Sequence, residues 1–599
     1  MLYFFKDICF IDCFLVKYVC GDFMKKFYNI LEDKISSAIK TAGYQSDSVV
    51  VNESSRPDLG QYQFNGIMAL AKVYHKNPIE IANEVVEILK EDDFFSNVNI
   101  AGPGFVNMTV NDNALIEYTN SNSFKFEKQN KLIFLDYGGA NVAKSLHVGH
   151  LRSANIGEAL NRLCKYLGYE TISDTHLGDW GRPLGLVILE LSKRHPDWLY
   201  FDESYTGDYP DVEITNELLE EVYPYASSKS KEDEEYLKEA QAMTKKLQDG
   251  TRGIIALWNK IMDVSKTDIK KIYDRLNANF DLYKGESDAE RYVPEMLEYL
   301  DTLNIVEESE GAKVIPVALE TDKLDIPPML LIKSDGGILY STTELATIYD
   351  RMKNNNPDEI WYIVDKRQGL HFTQVFRAAY KSNIAKPTTK LEFAGFGTMN
   401  GSDGKPFKTR DGGVMRLNDL LKIVKDECLK RLNENIIDNR DEIAEKIAMS
   451  AVKYSDLLPN RESDYIFDIE KFCDLDGKTG PFILYSTIRM KSLLNKAKEL
   501  NIDYNKINVI DNEFDRDVIL NLNNFDIVLN KAFNARSLND ITEYIYKLTT
   551  SYNRFYTENI ILKETDNSKR ESWLYLTKIV YEVNKILLDI LASELPEKM

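Results

Sequence analysis

Cysteine is scarce in this chain of 599 residues: it contains 6, and none of them form a CxxC pair. This scarcity argues against a disulfide framework and against zinc ribbons, and it predicts a reducing, cytoplasmic compartment. No apolar run approaches the length that a membrane-spanning helix needs. Acidic residues outnumber basic ones by 95 to 74, which gives a formal net charge of −21. Such a balance excludes a nonspecific nucleic-acid coat but is compatible with local basic strips that bind RNA.

The length predicts three to four domains. Residues 1–23 have a broken, aromatic-rich apolar run, and we expect them to be an N-terminal extension, with translation starting at Met24. Residues 24–125 show the pattern of a small α+β domain. Residues 130–425 alternate strands and helices, which predicts an α/β, Rossmann-like, doubly wound parallel sheet, interrupted by a helical insertion at about 186–300. Residues 440–599 have an almost wholly helical pattern.

One stretch, residues 131–169, has the order strand, polar loop and helix that is typical of nucleotide-binding sites. A buried strand is predicted at 132–135, and a helix is predicted to begin near Val148. The loop lacks the glycine fingerprints of dinucleotide sites and P-loops. It carries His147, Gly149 and His150 instead, at a helix start where backbone N–H groups favour negative charge. Gly149 would let a ligand approach the backbone closely.

Besides the binding of a negatively charged ligand, two other interpretations of this pair, His147 and His150, are open. A histidine at this place could simply cap the helix or pack against it. The pair could also bind zinc, but there is no HExxH motif and no nearby third ligand, so zinc is disfavoured.

Further chemistry is predicted in the second half of the α/β region. We expect its strands at 312–319, 329–334, 359–364 and 391–398. Tyr340 and Glu344 are four residues apart and would share one face of a helix. Gln368 follows a predicted strand, which is the usual ligand position in an open sheet.

A glycine-rich loop at 401–417 holds Lys405, Lys408, Arg410 and Arg416. It would be either a solvated basic turn or a mobile clamp on a triphosphate. In the C-terminal region, Arg489 and Lys491 would be either a solvated helix face or an RNA-binding surface. On the second interpretation, phosphate contacts give affinity and Tyr485 or Tyr556 stacks on unpaired bases.

The sequence NVAKSLHVGHLRS at 141–153 closely resembles the HIGH signature of class I aminoacyl-tRNA synthetases, in its arginyl-tRNA synthetase version. The segments RPDLG at 56–60 and IAGPGFVN at 100–107 are similar to the N-terminal tRNA-binding domain of that family. The helical C-terminal region resembles its DALR-type anticodon-binding domain. The resemblance implies a ligase that activates L-arginine with ATP and Mg²⁺ and then charges tRNA-Arg, as a monomer.

The resemblance also implies roles for individual residues. Catalysis would involve His147, His150, Lys144 and Lys408, and ATP would contact His147, Gly149, His150, Lys405, Lys408 and Arg410. A guanidinium requires acceptors in fixed geometry because its donors form a rigid planar fork. The candidates for binding arginine are Asp136, Asn141, Glu286, Tyr340, Glu344 and Gln368. Binding of tRNA would involve Arg489, Lys491 and Tyr485, and no metal ligands are expected.

The chain departs from the family pattern at three places. Gly139 and Ala140 stand where Ser-Pro is usual, so a hydroxyl is missing, and Glu344 replaces a more common Asp. There is no KMSKS motif; FKTR at 407–410 occupies its place, and Lys144 is expected to supply the missing charge. Three alternatives stay open: another class I synthetase, a small HxGH nucleotidyltransferase, and a catalytically idle paralogue that binds RNA.

Overall fold

The computed structural model describes residues 26–334, 336–401, 403–405, 415–432 and 439–599. The chain divides into two compact units. One contains the residues up to 127 together with 489–531 and 544–585, and the other contains 128–488, 532–543 and 586–599. Within the described residues, every helix is too short or too polar to traverse a lipid bilayer.

The strands of the described residues are β1 (Val51–Glu53), β2 (Tyr62–Phe64), β3 (Phe95–Ala101), β4 (Phe105–Val110), β5 (Leu132–Tyr137), β6 (Glu170–Asp174), β7 (Glu307–Ser309), β8 (Ala312–Ile315), β9 (Met329–Ile332), β10 (Glu359–Ile363), β11 (Lys390–Phe393), β12 (Met399–Asn400) and β13 (Tyr465–Ile466).

The helices up to the end of the α/β region are α1 (Phe27–Thr41), α2 (Ile67–Tyr74), α3 (Pro78–Lys90), α4 (Asp112–Ser121), α5 (Val148–Tyr166), α6 (Arg182–Arg194), α7 (Asn216–Glu232), α8 (Glu234–Gln248), α9 (Arg252–Arg275), α10 (Glu286–Glu290), α11 (Val293–Thr302), α12 (Tyr340–Asn354), α13 (Gly369–Lys381) and α14 (Leu417–Arg431). Those that follow are α15 (Arg440–Leu457), α16 (Ile469–Phe472), α17 (Gly480–Glu499), α18 (Glu513–Leu522), α19 (Phe525–Ala535), α20 (Asn539–Glu558) and α21 (Asn567–Ile590).

The first unit joins the N-terminal part of the chain to helical segments from its C-terminal part. Its antiparallel sheet has the order β1-β2-β4-β3. The Tyr28 hydroxyl donates to Asn524 Oδ1 at 2.8 Å, and Arg516 pairs with Asp112 at 2.7 Å. Polar contacts of this kind connect segments that are far apart in sequence within one unit.

The second unit is built on a parallel sheet of order β11-β10-β5-β6. Ile133, Phe134 and Leu135 of β5 are fully buried, because helices cover both faces of a parallel sheet. The predicted α/β fold is confirmed, as is the helix beginning at Val148. The insertion is helical as predicted, with α6 to α11 following β6 before the next strand.

The strand predictions at 312–319 and 329–334 are wrong about the sheet to which these segments belong. β8 and β9 pair antiparallel, with β7, in a separate sheet. The three residues of β7 are exposed, and Leu330 of β9 is exposed between buried Met329 and Leu331. This alternation marks a sheet with one face in water, which a strand buried on both faces cannot show.

Candidate active site

A cavity of about 340 Å³ lies at the carboxyl edge of the parallel sheet. Asp136 near the end of β5, His176 just after β6 and Asp365 just after β10 all line it, as expected for a ligand site in an open α/β sheet. Every residue predicted to contact arginine also lines this cavity, as do the predicted histidines and the glycine between them: Asp136, Asn141, His147, Gly149, His150, Glu286, Tyr340, Glu344 and Gln368.

The two histidines cap helix α5 through their ring nitrogens. His150 Nδ1 accepts from the backbone N–H of His147 at 3.0 Å, and His147 Nδ1 accepts from the backbone N–H of Gly149 at 3.1 Å. The rings lie 3.9 Å apart between centroids. Because both Nδ1 atoms accept, each neutral ring carries its proton on Nε2, which is then the donor available to a ligand.

Both histidines are held neutral by their surroundings. Burial lowers the pKa of His150 to about 3, with a further contribution from His147. Burial and the nearby Lys144 ammonium lower the pKa of His147. Neutral imidazoles donate hydrogen bonds to phosphate oxygens without adding a full charge.

Helix α5 begins at this motif for two local reasons. A Cβ at position 149 would lie 2.8 Å from His147 Cε1, so only glycine lets the ring fold back onto the helix start. Val148 is 3% exposed and anchors the first turn in the core. The motif is therefore a helix cap and a donor pair at once, and the capping interpretation does not compete with ligand binding.

On the acidic side of the cavity, the lining residue Asp136 is bonded to a buried guanidinium of the protein itself. Arg351 of α12 is 1% exposed, and its Nη2 donates to Asp136 Oδ2 at 2.6 Å and to Asp174 Oδ2 at 3.0 Å. Asp136 was predicted to bind the substrate, yet one of its oxygens already has this internal partner. We expect Asp136 to contribute to the site mainly through the array that it forms with Arg351.

His176 completes the buried array. Its Nδ1 lies 3.8 Å from Asp174 Oδ2, and its Nε2 lies 3.5 Å from the Thr347 hydroxyl oxygen. Burial alone would lower the pKa of His176, but the carboxylates of Asp174 and Asp136 raise it to about 9. At neutral pH the ring is therefore a second internal cation beside Arg351.

Two carboxylates on this side, those of Glu344 and Glu286, are bonded to no cationic group of the described residues. Glu344 is 4% exposed, and its Oε1 has no hydrogen-bond partner among the described residues. Burial raises the pKa of Glu344 to about 7, and burial also raises the pKa of Glu286. A cationic ligand that entered between them would find one acceptor, Glu344, already removed from water, and a second, Glu286, only partly exposed.

The remaining predicted arginine contacts shape the walls. The Tyr340 ring stacks on His371 with 4.7 Å between centroids. Asn141 packs against Gly178, where a Cβ would lie 2.4 Å from Asn141 Oδ1. Position 139 has no room for a larger residue, because a Cβ there would lie 2.9 Å from the His176 carbonyl oxygen. The glycine that replaces the usual serine thus fits the local backbone of this chain.

The structure does not bring every predicted residue into the cavity. Lys144 Nζ lies 4.2 Å from the centroid of the Tyr223 ring, beside the cavity and outside its lining. Lys405 is exposed, and Lys408 and Arg410, like residues 1–23, lie outside the described part of the chain. Tyr485, Arg489 and Lys491 lie on α17, and the Arg489 guanidinium lies 5.7 Å from the centroid of Tyr556.

Sequence analysis missed Arg351, His176 and Tyr362 of the cavity region. The pattern contains a signal for two of them. His176 follows a strand end by two residues, as ligand positions in such sheets do. Glu344, Thr347 and Arg351 are spaced so that they form one polar stripe along a helix, and all three are buried.

Asp136, Asp174 and His176 are close enough together to resemble a metal site. The Arg351 guanidinium bonds to both aspartates, and His176 is protonated at neutral pH, so two cationic groups already neutralise this cluster. These residues do not fit a resident metal ion.

Three family models match successive parts of the chain. Residues 29–110 match the model of the arginyl-tRNA synthetase N-terminal domain, and residues 112–469 match that of the class I (R) tRNA synthetase catalytic domain. Residues 483–599 match the DALR anticodon-binding domain.

Curated relatives and solved structures are similar over nearly full length. An arginine–tRNA ligase of Alkaliphilus oremlandii is 46% identical over 94% of this chain and 98% of its own, and one of Agathobacter rectalis is 44% identical over 96% and 100%. The arginyl-tRNA synthetase of Plasmodium falciparum has the same fold, with a TM-score of 0.80 at 22% identity over 97% of this chain and all of its own. That of Thermus thermophilus scores 0.77 at 21% identity over 96% and 100%. The chain belongs to the arginyl-tRNA synthetase family of class I aminoacyl-tRNA synthetases.

Proposed function

We propose that this chain activates L-arginine with ATP, forming arginyl-adenylate and pyrophosphate, and then transfers the arginyl group to the 3′ end of tRNA-Arg with release of AMP. The observation that carries this proposal is the pairing, in one cavity, of two kinds of group: carboxylates that bond to no cation of the described residues, and a helix start with two imidazole donors. The first set suits a guanidinium, and the second suits phosphates.

The arginine side chain would enter between Glu344 and Glu286. Burial raises the pKa of both carboxylates, and a guanidinium between them would favour their ionised form. Tyr340, stacked on His371, would form the wall beside the side chain. Asn141 would hold the α-amino and carboxyl end, and Gln368 would contact the side chain and the α-amino region. Asp136 would act within the Arg351 array.

At the other end of the cavity, the ATP phosphates would meet the start of α5 and the Nε2–H groups of His147 and His150. The reaction needs no covalent enzyme intermediate: the arginine carboxylate attacks the α-phosphate in line, and pyrophosphate leaves. Lys144, Lys405, Lys408 and Arg410 would neutralise the charge that develops on pyrophosphate. Mg²⁺ would arrive as part of the ATP substrate, bound to its phosphates.

We propose that tRNA binding involves Arg489, Lys491 and Tyr485 of α17, by phosphate contact and by stacking on an unpaired base. The Arg489 guanidinium lies over the Tyr556 ring, so a cation for phosphate and a ring for stacking on a base are close together, which supports this proposal. We further propose that the protein acts as a cytoplasmic monomer.

Charging of total tRNA with labelled arginine, compared with lysine, glutamate and cysteine, tests the proposal. ATP–pyrophosphate exchange would be measured in parallel, with and without tRNA. We expect charging with arginine alone, and exchange that requires tRNA. Charging with another amino acid would contradict the roles given to Glu344 and Gln368. Retained tRNA binding without any charging would instead support an idle paralogue.

The role of Lys144 has its own test. Replacement of Lys144 by alanine should slow adenylate formation far more than it weakens arginine binding, because an ammonium near the histidines would act on the phosphates. Single-turnover formation of the adenylate, compared with equilibrium binding of arginine, separates the two effects. An unchanged rate of the first step would contradict the proposed role.

A further inference from the structure

The helical insertion contacts three successive residues, 143–145, that lie shortly before the histidine motif His147–His150. The backbone N–H of Ala143 donates to Ser265 Oγ of α9 at 3.1 Å, and Ala143 has a φ of 61°, which is unusual for alanine. The Lys144 ammonium lies over the ring of Tyr223 on α7 at 4.2 Å. The Ser145 hydroxyl donates to Glu220, also on α7. Three successive residues are thus fixed by side chains of the insertion.

The same Glu220 carboxylate also binds a second segment, residues 415–417. Arg416 Nη1 lies 2.9 Å from Glu220 Oε2. This segment pairs with the histidine motif itself: the Val148 N–H donates to the Met415 carbonyl oxygen at 3.1 Å, and the Leu417 N–H donates to the Leu146 carbonyl oxygen at 2.9 Å. Arg416 lies opposite His147 in this short antiparallel pairing.

Glu220 is therefore a carboxylate from the insertion that bonds to both sides of one pairing. Its side chain is 23% exposed and therefore partly shielded from water, whereas the side chain of Arg416 is 56% exposed. Both contacts are made to a carboxylate, and hydrogen bonds to an ionised group are stronger than those between neutral groups. Because His147 caps α5 through its own backbone and ring, a shift of residues 145–148 would move both imidazoles.

We propose that Glu220 is a positioning residue for adenylate formation. It fixes residues 145–148, which carry the first histidine, and residues 415–417 relative to each other, and it does not contact the substrate. This inference rests on the proposed function, since it assigns Glu220 a part in the activation step. Neither Glu286 nor Glu344 contacts Glu220 in the structure, so arginine recognition should be insensitive to its loss.

The first test replaces Glu220 by glutamine, which keeps the shape and removes the charge. We expect kcat for ATP–pyrophosphate exchange, measured on the full chain with tRNA, to fall about tenfold, because small misplacements of catalytic groups are costly. KM for arginine should stay unchanged. The matched control is Glu221→Gln, which removes the neighbouring carboxylate that pairs with Arg194 inside the insertion. An equal loss in both variants, or a rise in the arginine KM with kcat unchanged, would overturn the proposal.

A second test guards against a purely structural effect. Arg416→Gln breaks the same ion pair from the other side, and the double variant should lose little more than Glu220→Gln alone, since the two residues act as one unit. Exchanging the two charges, with Glu220→Arg and Arg416→Glu together, should restore part of kcat. Additive losses without such recovery would contradict the proposal. Failure of the unaltered chain to charge arginine would instead contradict the proposed function, so the two outcomes are distinguishable.

Discussion

The two ends of the cavity are built by different means. The end where we propose that arginine binds, the arginine end, has the carboxylates of Glu344 and Glu286 in its lining. Beside them lies a buried array of charges, Asp136, Asp174 and His176 around Arg351. The phosphate end consists of a helix start, where neutral imidazoles are fixed by backbone N–H groups. If the proposed roles are correct, selection of the amino acid depends on preorganised charge, whereas the chemical step depends on donors placed by backbone geometry.

Removal of the internal guanidinium should cause the largest loss. Arg351→Met leaves Asp136 and Asp174 as buried carboxylates without their partner, which should lower the free energy of unfolding by about 3–5 kcal/mol. Denaturant unfolding followed by tryptophan fluorescence measures this change. Arg56→Met, which breaks an exposed ion pair with Asp58, is the control and should leave the midpoint unchanged. Equal midpoints for the two variants would show that the buried array contributes nothing particular.

Loss of the carboxylate at position 344 should affect the arginine end alone. Glu344→Gln should lower kcat/KM for arginine about 10³-fold, because a buried cation would lose its charged partner. Glu344→Asp, which restores the residue more common in the family, should lose far less. Steady-state charging assays measure both, with Glu295→Gln as a control for an exposed carboxylate that pairs with Lys353 on α12. A similar loss in the aspartate and glutamine variants would mean that position, and not charge, decides.

The phosphate end can be altered without touching the arginine end. His150→Asn should keep an acceptor for the N–H of His147 and lose the distal donor, so kcat for exchange should fall about 10²-fold while KM for arginine is unchanged. His150→Gln, which keeps a distal donor, should retain more activity. If the glutamine variant is the less active of the two, the cap is more important than the distal donor.

The smallest expected effect is the pH dependence of arginine binding, which involves only the arginine end. The pKa of Glu344 is raised to about 7 in the free protein, and the arginine cation favours its ionised form. Below pH 7 the free protein carries a proton on Glu344, and arginine binding must release it. The affinity for arginine should therefore weaken as the pH falls, by at most about tenfold per pH unit. Calorimetric titrations between pH 6 and 8 measure this. In Glu344→Gln the dependence should flatten.

Much of the site follows from local sequence patterns. The strand, loop and helix at 131–169, the shared face of Tyr340 and Glu344, and the position of Gln368 after a strand each involve neighbouring residues, so periodicity predicts them. Arg351 and its aspartates come from three separate elements, and no local pattern brings them together. The same limit explains the sheet of β7, β8 and β9, whose antiparallel partners are decided by tertiary pairing. The contact of Glu220 with Ser145 and Arg416 likewise depends on how the insertion folds back.

The most direct test of the whole account compares arginine with citrulline, its neutral isostere, as substrates for tRNA charging by the unaltered chain. The two amino acids share length and shape, so only the charge and donors of the guanidinium differ. If buried carboxylates select the substrate, kcat/KM for arginine should exceed that for citrulline by about 10⁴-fold, since unpaired buried acceptors reject the neutral analogue. Comparable values of kcat/KM for arginine and citrulline would show that the acidic end of the cavity does not recognise a cation.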